Sequence, residues 1–130
     1  MSHVRDMSLA ESGRMKIRWV QDFMPALVAI RARFEREKPF AGLKIALSVH
    51  LEAKTAYLVK TLVRGGAELF VTGSNRLSTQ DAVCAALVDD GITVNAIHGA
   101  SEEETVALWK ETLSCHPDIV IDDGSDLINL

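Results

Sequence analysis

The chain has 130 residues, 48% of them apolar, 5% aromatic and 25% charged, and a net charge of −4. That is enough polypeptide for one domain with a single core, in an ordinary globular composition. The acidic balance leaves no basic excess for phosphate backbones or anionic membranes, and no apolar run approaches the roughly 20 residues that span a bilayer.

The first residues, Met1-Ser2-His3-Val4-Arg5-Asp6, contain no apolar segment of the signal-peptide kind. A cytoplasmic protein is expected, one that binds neither nucleic acid nor membrane. Without a secretion signal, Cys84 and Cys115 read as buried free thiols rather than a disulfide, and His3 as part of a disordered terminus.

Ser8-Leu9-Ala10-Glu11 has the spacing of a capping box at a helix start. Trp19, Val20, Phe23, Met24, Leu27, Ile30 and Phe34 follow at helical spacing. Pro25 interrupts them and either kinks the helix or opens a second one, and Pro39 ends the segment. Residues 1–40 therefore read as an N-terminal helical segment.

Residues 41–130 repeat a different pattern. Leu43 to Val49 reads as a strand, and Glu52 to Arg64 as a helix with Ala56, Val59, Leu62 and Val63 inward, closed by Gly65-Gly66. Glu68 to Thr72 is a second strand. Ser78-Thr79-Gln80-Asp81 opens the next helix as a variant capping box, and Gly91 ends it. Thr93 to Ile97 is a third strand, Ser101-Glu102-Glu103-Glu104 caps a further helix that stops before Pro117, and Asp118 to Ile121 is a fourth strand. Strands alternating with helices pair in parallel through right-handed crossovers. The fold class is α/β: a Rossmann-like parallel sheet of about four strands with flanking helices, preceded by the helical segment. The pattern does not set the spatial order of the strands. The sequence stops soon after the fourth strand, which suggests a piece of something longer.

Ligands of open parallel sheets sit beyond the carboxyl ends of the strands. Those positions here hold His50, Leu51 and Glu52, then Gly73, Ser74 and Asn75, then His98 and Gly99, then Asp122, Asp123 and Asp126. Each has a purely structural reading beside a chemical one. The histidines could be hydrogen-bonded strand-end residues, the aspartates caps and turn-formers, and Ser74, Asn75, Ser78 and Asp81 turn or cap residues. His116, beside Pro117, reads as a loop residue. No spacing is diagnostic of a metal site, and no metal is expected. A phosphoacceptor domain would want an acidic pair where His50 stands. Neither a P-loop nor a G-x-G-x-x-G segment is present, so no cofactor-binding residue is assigned in this chain.

Four segments together resemble adenosylhomocysteinase. Asp6-Met7-Ser8-Leu9-Ala10 and Met24-Pro25 look like its N-terminal helices, and Ser48 to Ala56 (SVHLEAKTA) like its first strand–helix turn. Gly73 to Asp81 (GSNRLSTQD) resembles its N-x-x-S-T-Q-D signature, and Asp122 to Leu127 (DDGSDL) its D-D-G-G-D-L segment. The likeness runs from about residue 5 to the last residue, and the two longer signatures are specific. It implies the substrate-binding portion of an enzyme of one-carbon metabolism that reversibly hydrolyses S-adenosyl-L-homocysteine to adenosine and L-homocysteine. In that family a tightly bound NAD oxidises the ribose 3′-hydroxyl, which acidifies the 4′ proton; homocysteine is eliminated, water adds, and the alcohol is restored. The resemblance implies catalytic acid–base roles for His50 and Asp123 near the 5′ carbon. It implies substrate contacts for Glu52, Lys54, Thr55, Asn75, Ser78, Gln80 and Asp123. NAD would be bound by regions absent from this chain, and the full-length enzyme would be a homo-oligomer, a tetramer in the family.

Arg76, Ser125 and the pair Glu52 and Lys54 depart from the common pattern. The first two look tolerable in loops. The last resembles the archaeal and thermophilic branch and leaves the nucleobase open, because an ammonium has three donors and no acceptor. Lys54 could hydrogen-bond the 6-carbonyl of hypoxanthine but not the 6-amino group of adenine, so an S-inosyl-L-homocysteine hydrolase is the alternative. A stand-alone, non-catalytic nucleoside-binding module is the other. The family's remaining substrate residues and its dinucleotide domain would lie beyond Leu130, so the 130-residue chain alone is expected to be inactive.

Overall fold

The four strand-like runs join one parallel sheet in a computed structural model that describes residues 1–130. Its strands are β1 (Lys44–Val49), β2 (Glu68–Gly73), β3 (Thr93–Asn95) and β4 (Ile119–Asp122), in the order β3-β2-β1-β4. The intervening helices are α3 (Ala53–Arg64), α4 (Asp81–Asp89) and α5 (Glu102–Leu113), preceded by α1 (Ala10–Gln21) and α2 (Pro25–Glu37). The α/β class and the parallel sheet are as expected. The order adds what the pattern could not set: the sheet grows from β1 to β2 to β3, then the chain returns to lay β4 on the other side of β1. A crevice opens where strand order reverses in this way, here between the ends of β1 and β4.

The core follows from apolar content on both faces of a parallel sheet. Ile45, Leu47, Val71 and Val94 of the strands are fully buried against Val59 of α3 and Val83 and Leu87 of α4. Ile17 and Val20 of α1 belong to the same buried cluster. Helix α1 crosses α4 almost backbone to backbone, since a Cβ on Gly13 would lie 1.8 Å from the Ala82 carbonyl oxygen. Only a residue without a side chain fits there.

Several local expectations are corrected. The Ser8 capping box does not form. Asp6 caps a 3-10 turn over Met7–Leu9 by accepting the Ser8 N–H at 2.9 Å, and α1 continues from that turn with no side-chain cap. Pro25 opens a second helix rather than kinking the first. Helical spacing predicted α1 and α2 correctly, although much of the apolar stripe is exposed: Trp19 and Phe23 are each 66% exposed, and α2 has no buried residue. Val63 is more than a third exposed rather than inward. Helix α4 begins at Asp81 with no side-chain cap, so Ser78 is not a cap. The Ser101 box at α5 is complete, with Ser101 and Glu104 each bonding the other's backbone N–H.

His3 is not a loose terminus. Residues 2–4 run beside β3 through a parallel bridge between His3 and Asn95, with His3 N–H donating to Val94 at 2.9 Å and Ala96 N–H to His3 at 3.0 Å. Both cysteines are free, as expected; Cys84 is buried but Cys115 only partly so. Burial pushes the Cys84 thiol up to about 12, with the Asp81 charge adding to it, which leaves it inert at neutral pH. No helix is long and apolar enough to cross a membrane.

Candidate active site

Residue register brings the carboxyl ends of β1 and β4 side by side. Ser48 lies opposite Asp122, and the Asp123 N–H donates to the Ser48 carbonyl at 3.2 Å. His50 and Asp123 therefore stand at neighbouring strand ends, both exposed, on the two sides of the crevice. Asp123 has no side-chain hydrogen bond or ion pair within the chain and presents a carboxylate to whatever enters.

His50 is held from two directions. Its carbonyl accepts the Thr55 hydroxyl at 2.6 Å, and its ring Nδ1 lies 2.6 Å from the Ser78 hydroxyl. In either ring tautomer that contact fixes Nδ1 and leaves Nε2 as the nitrogen free to exchange a proton with a ligand. The signature loop that carries Ser78 is shaped by Asn75, whose Oδ1 accepts the Leu77 N–H at 2.8 Å and whose carbonyl accepts the Ser78 and Thr79 N–H groups. Gly73 lets the loop fold back on its strand, because a Cβ there would lie 2.5 Å from Thr79 Oγ1. The Trp109 indole N–H, donating to the Gly73 carbonyl at 3.0 Å, pins the base of the loop. Ser74 Oγ is buried with no partner, at the edge of a recess of about 350 Å³ shared with Asn75, Arg76 and Trp109.

The substrate residues expected from resemblance divide by what their side chains already do. Glu52 is the N-cap of α3, and its carboxylate accepts the N–H groups of Lys54 at 3.1 Å and Thr55 at 3.2 Å. The buried Thr55 spends its hydroxyl proton on His50, and Asn75 spends its side-chain oxygen on its own turn. Lys54 is exposed, and its ammonium pairs with neither Glu52 nor any other carboxylate. Gln80 makes no cap bond. Glu52, Lys54 and Gln80 share a recess of about 450 Å³ with Met15, Trp19 and Val20. Sequence reasoning placed Trp19 only on a helical apolar stripe and missed its place at this recess; apolar spacing cannot separate a residue facing the core from one facing a neighbouring hollow.

The aspartates also divide. Asp122 is a turn-former: its carboxylate accepts the N–H groups of Gly124 at 3.1 Å, Leu127 at 2.8 Å and Ile128 at 3.3 Å. Asp126 is raised above the usual carboxylate range, first by desolvation and then by the charges of Asp122 and Asp123. Ser125 adopts φ +60°, a conformation that favours glycine. No group of three or more metal-ligating side chains is assembled.

The turn after β1 does not suit the pyrophosphate of NAD. It has no glycine, and the Glu52 carboxylate already occupies the N–H groups at the start of α3, where a pyrophosphate would sit.

The sequence model of the S-adenosyl-L-homocysteine hydrolase family matches residues 1–130. The chain is 53% identical over 125 residues to the S-inosyl-L-homocysteine hydrolase of Methanopyrus kandleri, a match covering 96% of this chain and 30% of that protein. It is 51% identical over 130 residues to the protein of the same name from Methanococcus maripaludis, covering 100% of this chain and 31% of that protein. It is 50% identical over 127 residues to the adenosylhomocysteinase of Pyrococcus abyssi, covering 98% of this chain and 30% of that protein. The chain thus spans about 30% of the length of these curated relatives.

Proposed function

The chain belongs to the S-adenosyl-L-homocysteine hydrolase family, and from that premise we propose that it forms one side of the cleft in which an S-nucleosyl-L-homocysteine is hydrolysed to nucleoside and homocysteine. The observation that carries the reading is the pair His50 and Asp123 at the reversal between β1 and β4, with His50 Nδ1 held by Ser78. Loss of homocysteine needs a proton delivered to the leaving sulfur, and addition of water needs one removed. An imidazole with one free nitrogen and an unpaired carboxylate on opposite lips of a crevice are suited to that exchange. NAD belongs to this proposal as a group held by polypeptide outside these residues. So do a cytoplasmic setting, a role in one-carbon metabolism and homo-oligomeric assembly.

Lys54 favours the inosyl substrate. Lys54 lines the recess with Glu52 and Gln80, and its ammonium has no carboxylate partner and offers donors only. Opposite a 6-carbonyl those donors are satisfied, whereas opposite a 6-amino group the mismatch costs about 1–3 kcal/mol, or roughly 10- to 100-fold in preference. The test is kcat/KM of the complete polypeptide, with NAD, for S-inosyl- and S-adenosyl-L-homocysteine, in wild type and Lys54→Gln. Turnover of both with a preference for the inosyl substrate that Lys54→Gln reverses is expected. A strong adenosyl preference unchanged in Lys54→Gln removes the lysine from base reading, and absence of homocysteine release from either substrate removes the hydrolase reading.

A further inference from the structure

The loop that holds His50 is fastened at its far end to the N-terminal arm, about 75 residues away along the chain. Residues 2–4 lie against β3 and deliver Arg5 across the turn that follows it. Arg5 makes two contacts there: Nη2 donates to the His98 carbonyl at 2.5 Å, and Nε pairs with Asp81 at 3.1 Å. The other Asp81 oxygen accepts the His98 N–H at 2.8 Å, and the His98 ring Nδ1 meets the Thr79 carbonyl at 3.0 Å. That carbonyl has no proton to give, so Nδ1 carries one and donates it. His98 thus spends its backbone N–H, its carbonyl and its ring nitrogen on three different partners: Asp81 and Thr79 directly, and Arg5, which itself pairs with Asp81. Ser78, which touches His50, is the next residue.

We propose that Arg5, Asp81 and His98 are positioning residues: a clasp between the N-terminal arm, the turn after β3 and the signature loop that sets where Ser78 stands and hence how the His50 ring is turned. Asp81 is the member on which the others depend. Its side chain is only 14% exposed, and it sits in the first turn of α4, where a carboxylate also interacts favourably with the helix dipole. Arg5 is about half exposed, so its ion pair alone adds little stability. Its effect is geometric, through a forked donor that holds a carboxylate and a carbonyl at once. The Arg76 side chain, donating to the Ala100 carbonyl at 2.9 Å, ties the same two loops from the other side. Without the clasp the loop retains that tie but loses its angle to His50.

The catalytic consequence rests on the acid–base role proposed for His50; the positional one does not. Both are read in the complete polypeptide with ¹⁵N-labelled histidine, the His50 ring being assigned by the signals lost in His50→Gln. Wild type is expected to show one neutral His50 tautomer, and Arg5→Ala and Asp81→Ala a mixture. Arg5→Lys, which keeps a cation and donors at the arm, is expected to restore the single form. In Arg5→Ala, kcat should fall roughly 10-fold with KM little changed, within the about 10²-fold that a 1 Å misplacement can cost. A single tautomer in both alanine variants overturns the proposal whatever turnover does. A mixture restored by Arg5→Lys establishes the clasp, and if homocysteine release is then unaltered, it is the acid–base role of His50 that falls. Should Asp81→Ala fail to fold, the exposed Arg5 carries the test.

Discussion

The two lips of the crevice are built in opposite ways. The lip that carries His50 is backed by residues 73–81, which are tied to other elements along their length: Ser74 to Val49, Gln80 to Leu51, Arg76 to Gly99 and Ala100, Thr79 to His98, and Gly73 to Trp109. The lip formed by residues 122–130 is mainly its own scaffold. Beyond the β4 ladder, its backbone reaches another element through Asp123 N–H to Ser48, and the rest is the Asp122 turn and the buried Leu127. A side chain on the first lip is placed by the whole fold, whereas one on the second is placed by its immediate neighbours. Remote substitutions should therefore reach His50 and leave Asp123 alone.

The largest expected effects fall on the two exposed groups themselves. In the complete polypeptide, His50→Ala and Asp123→Asn should each lower kcat by about 10²–10⁴-fold, more than they weaken substrate binding. Wild-type turnover in either variant, measured by homocysteine release, removes that lip from the chemistry. Next comes Asp122→Ala. It leaves three backbone N–H groups without their acceptor and should cost about 1–3 kcal/mol in the urea midpoint, with the loss confined to the second lip in amide exchange. Loss of protection at residues 73–81 as well would show the lips to be coupled.

Ser125→Gly works in the opposite direction. It relieves a serine held at φ +60° and should stabilise by up to about 1 kcal/mol, read as a higher melting temperature, with activity unchanged. The smallest effect is a pH effect. Asp126 is raised above its ordinary value of 3.8 by desolvation and then by its two acidic neighbours, so its folded form holds the proton more tightly than the unfolded chain. Its contribution is therefore fully present below that ordinary value and is lost as pH rises through the raised one. Asp126→Asn should flatten this acidic-range loss in a comparison of melting temperatures at pH 3 to pH 7. An unaltered profile would show that the carboxylate is not strained by its neighbours.

The alternation of strands and helices was legible because each strand is a short apolar run and each helix is bounded by a cap or glycine. Strand order was not, since pairing β4 with β1 is decided by a crossover that skips two strands. The capping boxes separate the two kinds of information well. The Ser101 hydroxyl has only local partners, accepting the Glu104 N–H and donating to the Glu103 carboxylate, whereas the Ser78 hydroxyl also meets His50, 28 residues away, a partner that no local pattern contains. The positions of His50 and Asp123 at strand ends could be read directly; their adjacency follows only from the order of the sheet. Glu52 and Thr55 show the converse. Resemblance marks them as substrate residues, and their side chains are spent on the start of α3 and on the His50 carbonyl.

The contact between Gly13 and Ala82 also bears on how this fold tolerates change. Most of α1 faces solvent, and Glu11 and Ser12 beside that glycine are exposed, so nearly any residue should serve at those two positions. At position 13 even one methyl group displaces the carbonyl of Ala82, the second residue of α4, and with it the end of the helix that carries Gln80 and Asp81. A saturation map of α1 should therefore show, apart from the core positions Ile17 and Val20 and among exposed neighbours, one position that admits no side chain at all. Its lost variants would map to a defect at the crevice rather than at the helix in which the substitution was made.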